Sequence, residues 1–447
     1  MELLGVNKLR GKLASKKNRV ILRYKYYDQK YAIHNNGIAV PGKLDHIKTK
    51  LGWCTKAVDA LADRLIFKGF ESDGVDGDIL RMSEIFAMNN PDVFFDSAIK
   101  SALISSCSFV YISQDEDGYP SLQVIDGGNA TGVMDTKTGL LKEGYAILDT
   151  DDMGTPTVEA YFTKEYTEYY EAGVQPYRIA NPTGYPLLVP IVYMPSDTRP
   201  FGHSRISRAC MDIQQGACIT MRNLMVASEF NSYPQKYIVG LSDEVETIDA
   251  WKASISSMLT IYKDSDGDKP TVGQFSQMSM TPYLDQMSTN VKLFCGETGL
   301  TSDDLGFISE NPSSAESIKA AHETLRLTAE KAQRSFGSGF LNVGYIASCL
   351  RDEFQYSRVF ALQSVRPVWY PSFKPDASAL SVIGDGAVKI NQAVPGYFNK
   401  DNLEELTGVN ASKIEVGEDG SESTLGQNDR TISEPSEEGQ RNTESIG

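Results

Sequence analysis

No run of this sequence stays apolar for the roughly 20 residues that a membrane-crossing helix needs. Residues 1–20, "MELLGVNKLRGKLASKKNRV", show neither a long apolar core nor a small-residue cleavage site. The expectation is a chain that neither spans a membrane nor is exported, so the acceptor patterns at Asn129-Ala-Thr131 and Asn410-Ala-Ser412 carry no weight. Cysteines are few and scattered: Cys54, Cys107, Cys210, Cys218, Cys295 and Cys349 form no C-x-x-C pair. That spacing signals neither a disulfide framework nor a zinc cluster, and they read as buried thiols in a reducing compartment. The four histidines, His34, His46, His203 and His322, stand too far apart to suggest a ligand set. Absent as well are the phosphate loop G-x-x-x-x-G-K-[ST], a helix-opening G-x-G-x-x-G, H-E-x-x-H and G-x-S-x-G. No catalytic residue, metal or cofactor is expected.

What is present is enough chain for more than one core, 447 residues with 41% hydrophobic and 23% charged. The net charge is −16 and unevenly spread. Residues 411–447 hold nine acids and three bases, hence −6, which leaves −10 on residues 1–410. Residues 1–31 run the other way, nine Lys or Arg against Glu2 and Asp28. An acidic body repels the phosphate backbone instead of gripping it.

The basic segment at residues 8–25 suits a helix, and a Gly/Asn/Pro-rich break follows it. Ile47, Leu51, Cys54, Val58, Leu61 and Leu65 step at helical spacing, with Gly69 placed as a C-terminal cap. A further helix is predicted over 92–106. From 108 to 200 the pattern turns to strands: "SFVYIS" with "SLQVIDGG", a hairpin around Thr138-Gly139, and two strands in "TVEAYFTKEYTEYYE". The proline-rich stretch 181–204 should be irregular or an edge strand. Ser204 would cap a long helix over 204–231, striped by Ile206, Cys210, Ile213, Ala217, Met221 and Leu224. A strand over 234–241, a short helix over 243–256, a strand at "VRPVWYPSF" and two short helices over 376–409 complete the reading, and the tail should be disordered. The acids at 264, 266 and 268 imitate a calcium loop, but Lys269 and Phe275 stand where glycine and the bidentate glutamate belong.

The most distinctive feature is a helix over 314–350, introduced by a polar loop and by a capping box in Ser313-Ser314-Ala315-Glu316. Gly337 and Gly339 predict a bend in it. At 1.5 Å per residue it would run about 55 Å, close to the diameter of about 57 Å of a compact chain of this length. The 204–231 helix adds about 40 Å, and flanks this long favour burial against neighbouring copies. Glu297, Asp303, Asp304 and Glu310 could instead hold two metal ions in a nuclease, although adjacent acids beside a helix start commonly act as caps or solvated charge.

Four passages resemble the portal proteins of tailed bacteriophages, the siphophage group in particular: "VDALADRLIFKGF", "SFVYISQDEDGYPSLQVIDGGNATGVMD", "PFGHSRISRACMDIQQGACITMRNL" and "FCGETGLTSDDLGFISENPSSAESIKAAHETLRLTAEKAQRSFG". The resemblance spans roughly residues 15–410 and implies an α+β portal fold of wing, stem, clip and crown. It implies a ring of twelve copies at one capsid vertex, with double-stranded DNA passing through the hole without sequence specificity. Partners would be the terminase large subunit, a head–tail adaptor, and the major capsid and scaffolding proteins, after assembly in the host cytoplasm. On this chain the wing would be 1–160 and 232–375, the clip 161–203, the stem 204–231 and the crown 376–410, with a disordered tail over 411–447. The tunnel loop would be 301–314, offering Asp303, Asp304, Ser309, Glu310, Asn311 and Ser313 to the DNA. Arg205, Arg208 and Arg222 on the stem helix would face a neighbouring subunit or the DNA. A head–tail adaptor, a tail-tube protein and the metal-dependent nuclease are the competing readings.

Overall fold

The computed structural model describes residues 3–33, 47–72, 80–115, 117–232, 236–239, 271–274, 276–307, 320–363, 365–373 and 377–407. The chain divides into two units, Met1–Ala377 and Ser378–Gly447. The first is an α+β unit in which every strand pair is antiparallel.

Two sheets carry most of it. In the three-stranded sheet β2 (Cys107–Gln114) lies between β3 (Pro120–Ile125) and β9 (Leu188–Val192). All five residues of β9 are buried. It is nonetheless an edge strand, which is where Pro190, lacking an N–H, is tolerated. The second sheet is a meander of β4 (Ala130–Met134), β5 (Leu141–Thr150), β6 (Pro156–Phe162), β7 (Tyr166–Glu171) and β8 (Tyr177–Ala180). Gly139, at φ +73°, makes the expected turn between β4 and β5.

Helix α1 (Val6–Tyr27) closes the free edge of the meander. Leu9 and Leu13 pack on Tyr145, Ile147 and Tyr161. Lys12 and Lys16, one turn apart, donate to the carbonyls of Gly132 (2.6 Å) and Ala130 (2.7 Å) on edge strand β4. Ammonium groups thus occupy acceptors that another strand would otherwise seek. The helix start is fastened by Glu143, 2% exposed, which accepts from Leu4 N, Gly5 N and the Tyr161 hydroxyl. A buried carboxylate is tolerated because three donors replace its water.

The main core forms where α2 (Trp53–Ala62), α3 (Met82–Met88), α4 (Pro91–Ser105) and α7 (Glu323–Arg351) meet the three-stranded sheet. Strand β1 (Phe67–Ser72) pairs with β12 (Val365–Trp369) beside them, after the short α8 (Arg358–Gln363). Rings of Phe67, Phe86, Phe94, Phe95, Phe340 and Trp369 lie 4.4–6.3 Å apart there.

Several expectations are corrected. Gly69 does not end a helix; at φ +141° it sits in β1 where the register with β12 slips, a bulge that suits glycine. The helix before it is α2 alone, so Ile47, Leu51 and Leu65 lie outside it. The long helix begins at Glu323, after a turn at His322, and the capping box at Ser313 and Glu316 lies outside the described residues. α7 is continuous through Gly337 and Gly339, and both glycines are points of close contact. A Cβ at 337 would stand 2.8 Å from Pro367 Cγ, and one at 339 would stand 2.8 Å from Ile191 Cδ1.

The second unit contains α9 (Ala377–Ala393) and α10 (Lys400–Thr407), the two short helices expected over 376–409. Asn391 clamps the turn between them, donating to Phe398 O and accepting from Phe398 N, both at 2.8 Å. The tail, the 243–256 segment and the acidic stretch at 264–268 lie outside the described residues.

Candidate functional site

The first unit holds a helical hairpin of α5 (Arg208–Ser232) and α6 (Thr281–Thr298). Its N-cap is Ser207, whose hydroxyl accepts from Cys210 N at 3.1 Å. Ser204 serves elsewhere, donating to Ile104 O at 2.6 Å and accepting from Ile206 N. In α6, Met287, Val291, Phe294 and Thr298 recur at 4-3-4 spacing and are buried, while Gly299 at φ +69° ends the helix.

Hydrogen bonds at both ends show the two helices to be antiparallel. At the base, Ser207 donates to Glu297 at 2.7 Å, joining the start of α5 to the end of α6. At the tip, Asn231 donates to Met278 O and accepts from Met278 N, both at 2.9 Å. Beyond the tip, β10 (Lys236–Val239) pairs with β11 (Thr271–Gln274).

The first half of α5, next to the base, is keyed into the body by two buried glutamines. Gln214 accepts from Cys54 N and donates to Leu51 O, both at 2.7 Å. Gln215 donates to Tyr26 (2.9 Å) and to Ala32 O (2.7 Å). Such fully partnered amides set the helix's rotation as well as its position.

After α6 the chain makes a short turn whose Asp303–Leu305 segment is a 3₁₀ helix. Asp304 accepts from both Thr301 N and Thr301 Oγ1 at 2.9 Å, and its own N–H donates back to Thr301 Oγ1. Gly306 leaves the turn at φ +84°. Asp304 also lies 4.0 Å from His322 Nδ1 at the head of α7. Residues 304 and 322 thus lie side by side although eighteen residues apart in sequence.

Of the predicted contact residues, Asp303 is exposed and Asp304 half-buried in that turn. Ser309, Glu310, Asn311 and Ser313 lie outside the described residues. Arg205 precedes α5, and its guanidinium donates to Ala57 O (3.3 Å) and to Thr298 O. Arg208 is the first residue of α5 and exposed, whereas Arg222 is buried within the subunit. Glu297 is engaged by Ser207, and among the described residues no group of three His, Cys, Asp or Glu could hold a metal ion. Among them too, no helix is long and apolar enough to cross a membrane.

The chain matches the family model of the SPP1 Gp6-like phage portal proteins over residues 7–202. It is 21% identical to the portal protein of Mycobacterium phage L5 over 336 residues, covering 70% of this chain and 68% of that one. With the portal protein of Mycobacterium phage D29 it shares 22% over 334 residues, with the same coverage. Among solved structures, the neck of a native GTA particle computed with C12 symmetry aligns at TM-score 0.43 and 12% identity, covering 80% of this chain and 90% of that one. The virion of a native gene transfer agent particle aligns at 0.36 and 14%, covering 88% and 100%. These TM-scores are too low to carry an argument. The sequence matches are all to portal proteins of tailed phages, the class of protein that this chain resembles.

Proposed function

We propose that copies of this chain close into a ring of twelve at one capsid vertex, and that double-stranded DNA enters and leaves the virion through its hole. The observation that carries this is the match to phage portal proteins across 70% of the chain. The subunit acts as a conduit; an ATPase motor, the terminase large subunit, supplies the work. A head–tail adaptor, capsid and scaffolding proteins would be its other partners, with assembly in the host cytoplasm.

The hairpin of α5 and α6 is the stem, and residues 233–280, between the two helices, are the clip. Residues 161–203 suit the clip less well, because β7, β8 and β9 are committed to two sheets and β9 is buried. The wing is then the remainder of the first unit, and residues 376–410 are the crown. The tunnel loop is residues 301–314, which begin at the turn that brings Asp304 to 4.0 Å from His322 Nδ1. Asp303, Asp304 and Glu310 repel phosphate over roughly one Debye length, about 8 Å at physiological salt. Ser309, Asn311 and Ser313 offer only short neutral contacts, so DNA slides without adhering.

Removing residues 305–312 tests this reading, since the cut leaves the Asp304–His322 pair and both helices in place. In phage complemented with the deleted gene, capsids carrying the ring should still form, with packaged DNA reduced tenfold or more. Normal DNA content would refute the loop assignment.

A further inference from the structure

The most exposed large apolar side chain among the described residues is Met153, at 90%. It stands at the tip of the turn between β5 and β6, and that turn is tightly bonded. One carboxylate oxygen of Asp151 accepts from Met153 N at 3.0 Å and from Thr155 N at 2.7 Å. Gly154 N donates to Asp151 O and Asp151 N to Thr155 O, both at 2.9 Å, with Gly154 at φ +78°. Asp149, Asp151 and Asp152 flank the methionine, and residues 149–155 include no base. An apolar knob among carboxylates is thus held out in a fixed shape, which lowers the ordering cost of docking it.

A surface of the opposite character lies at the other end of β5. There the β4–β5 turn, β9 with the turn after it, and α7 border a hollow of about 640 Å³. Met134, Pro190, Val192, Met194 and Pro200 give it apolar walls. Lys331 and Arg334, one turn apart on α7, also line it; both are exposed and have no ion-pair or hydrogen-bond partner among the described residues. Asp197 is the one acid among its lining residues. The ten residues of β5 hold tip and hollow about 30 Å apart, so no subunit can seat its tip in its own hollow.

We propose that the β5–β6 tip of one copy enters this hollow on the next copy, Met153 against the apolar walls and Asp152 beside Lys331 and Arg334. Two complementary patches at opposite ends of one subunit are what a head-to-tail interface requires, and such an interface closes into a ring when its rotation allows. Seating the methionine removes apolar surface of both partners from water, and its unbranched thioether adapts to an irregular hollow. The charge pairing sets partner and register. The inference rests on the ring reading, to which it assigns one contact.

The test has two arms. In the full-length chain carrying Met153→Cys and Ser338→Cys, Ser338 being an exposed residue of the hollow, a short bismaleimide should give a denaturing-gel ladder extending beyond the dimer. Either cysteine alone should not. In the second arm, Asp152→Lys and Arg334→Glu should each lower the ring population about tenfold, read by native mass measurement at matched concentration. Both substitutions on one chain should recover most of it. The two side chains are exposed and form no hydrogen bond among the described residues, so the fold should survive, as melting curves would verify. Wild-type rings with no ladder, and variants that assemble like wild type, refute the contact while the ring stands, and leave the hollow to a different partner. A ladder that stops at the dimer makes the exchange reciprocal between two copies and overturns the head-to-tail contact. A wild type that never closes and gives no ladder refutes the ring reading as well.

Discussion

At the scale of single residues, this acidic protein places its carboxylates with care. Asp352, just past α7, accepts both arms of the Arg351 guanidinium, at 2.8 and 2.7 Å, and the Tyr356 hydroxyl at 2.9 Å. The hydrogen bonds from Arg351, ahead of that from Tyr356, hold its carboxyl below the usual carboxylate range. A depressed folded pKa stabilises above the unfolded value, about 3.9, and that contribution disappears as pH falls through the lower folded value. In urea unfolding between pH 6 and pH 2, wild type should therefore exceed Asp352→Asn near neutrality. The gap should narrow below about pH 4 as the carboxyl takes up a proton in both states. A gap that stays constant to pH 2 would show that the pair contributes packing, not charge.

At the scale of elements, α7 shows how packing overrides propensity. Alanine in place of a helix-interior glycine gains about 1 kcal/mol, while overfilling a core costs about 1–3 kcal/mol. At Gly337 the added Cβ meets the stiff ring of Pro367, at 2.8 Å to Cγ and 3.0 Å to Cβ. At Gly344 it meets the middle of the buried Met82 side chain, at 2.7 Å to Sδ and 3.0 Å to Cγ, which has more rotatable bonds with which to give way than a proline ring. Gly337→Ala should thus destabilise by about 1–2 kcal/mol and Gly344→Ala by less. Denaturant midpoints would check that order, and the reverse order would contradict it.

The same helix marks what was legible. Alternation and turn glycines such as Gly139 announced the strands, because the face each residue takes follows from period 2. A positive φ at Gly69 looked like a helix end because the need for glycine is common to caps and bulges. Helix α6 was missed: its apolar stripe, Met287 to Phe294, is short. Ser207 was passed over for Ser204, since either hydroxyl suits a cap and only the fold shows Ser204 committed to α4. Of the candidate site, the loop turn at Asp303-Asp304 could be read locally. The meeting of Ser207 with Glu297 could not, because pairing across so much chain is a property of topology.

For the whole molecule, the sequence matches are to phage portal proteins, which is what the proposed ring rests on. A hairpin is joined at both ends by side-chain hydrogen bonds, and Asp304, in the turn that follows it, lies 4.0 Å from His322 Nδ1. Single-particle imaging of the purified full-length chain tests the account most directly. Closed rings with the loop of residues 301–314 bordering the central opening are the predicted result. Separate single molecules at every concentration, or rings in which that loop faces outward, would contradict it.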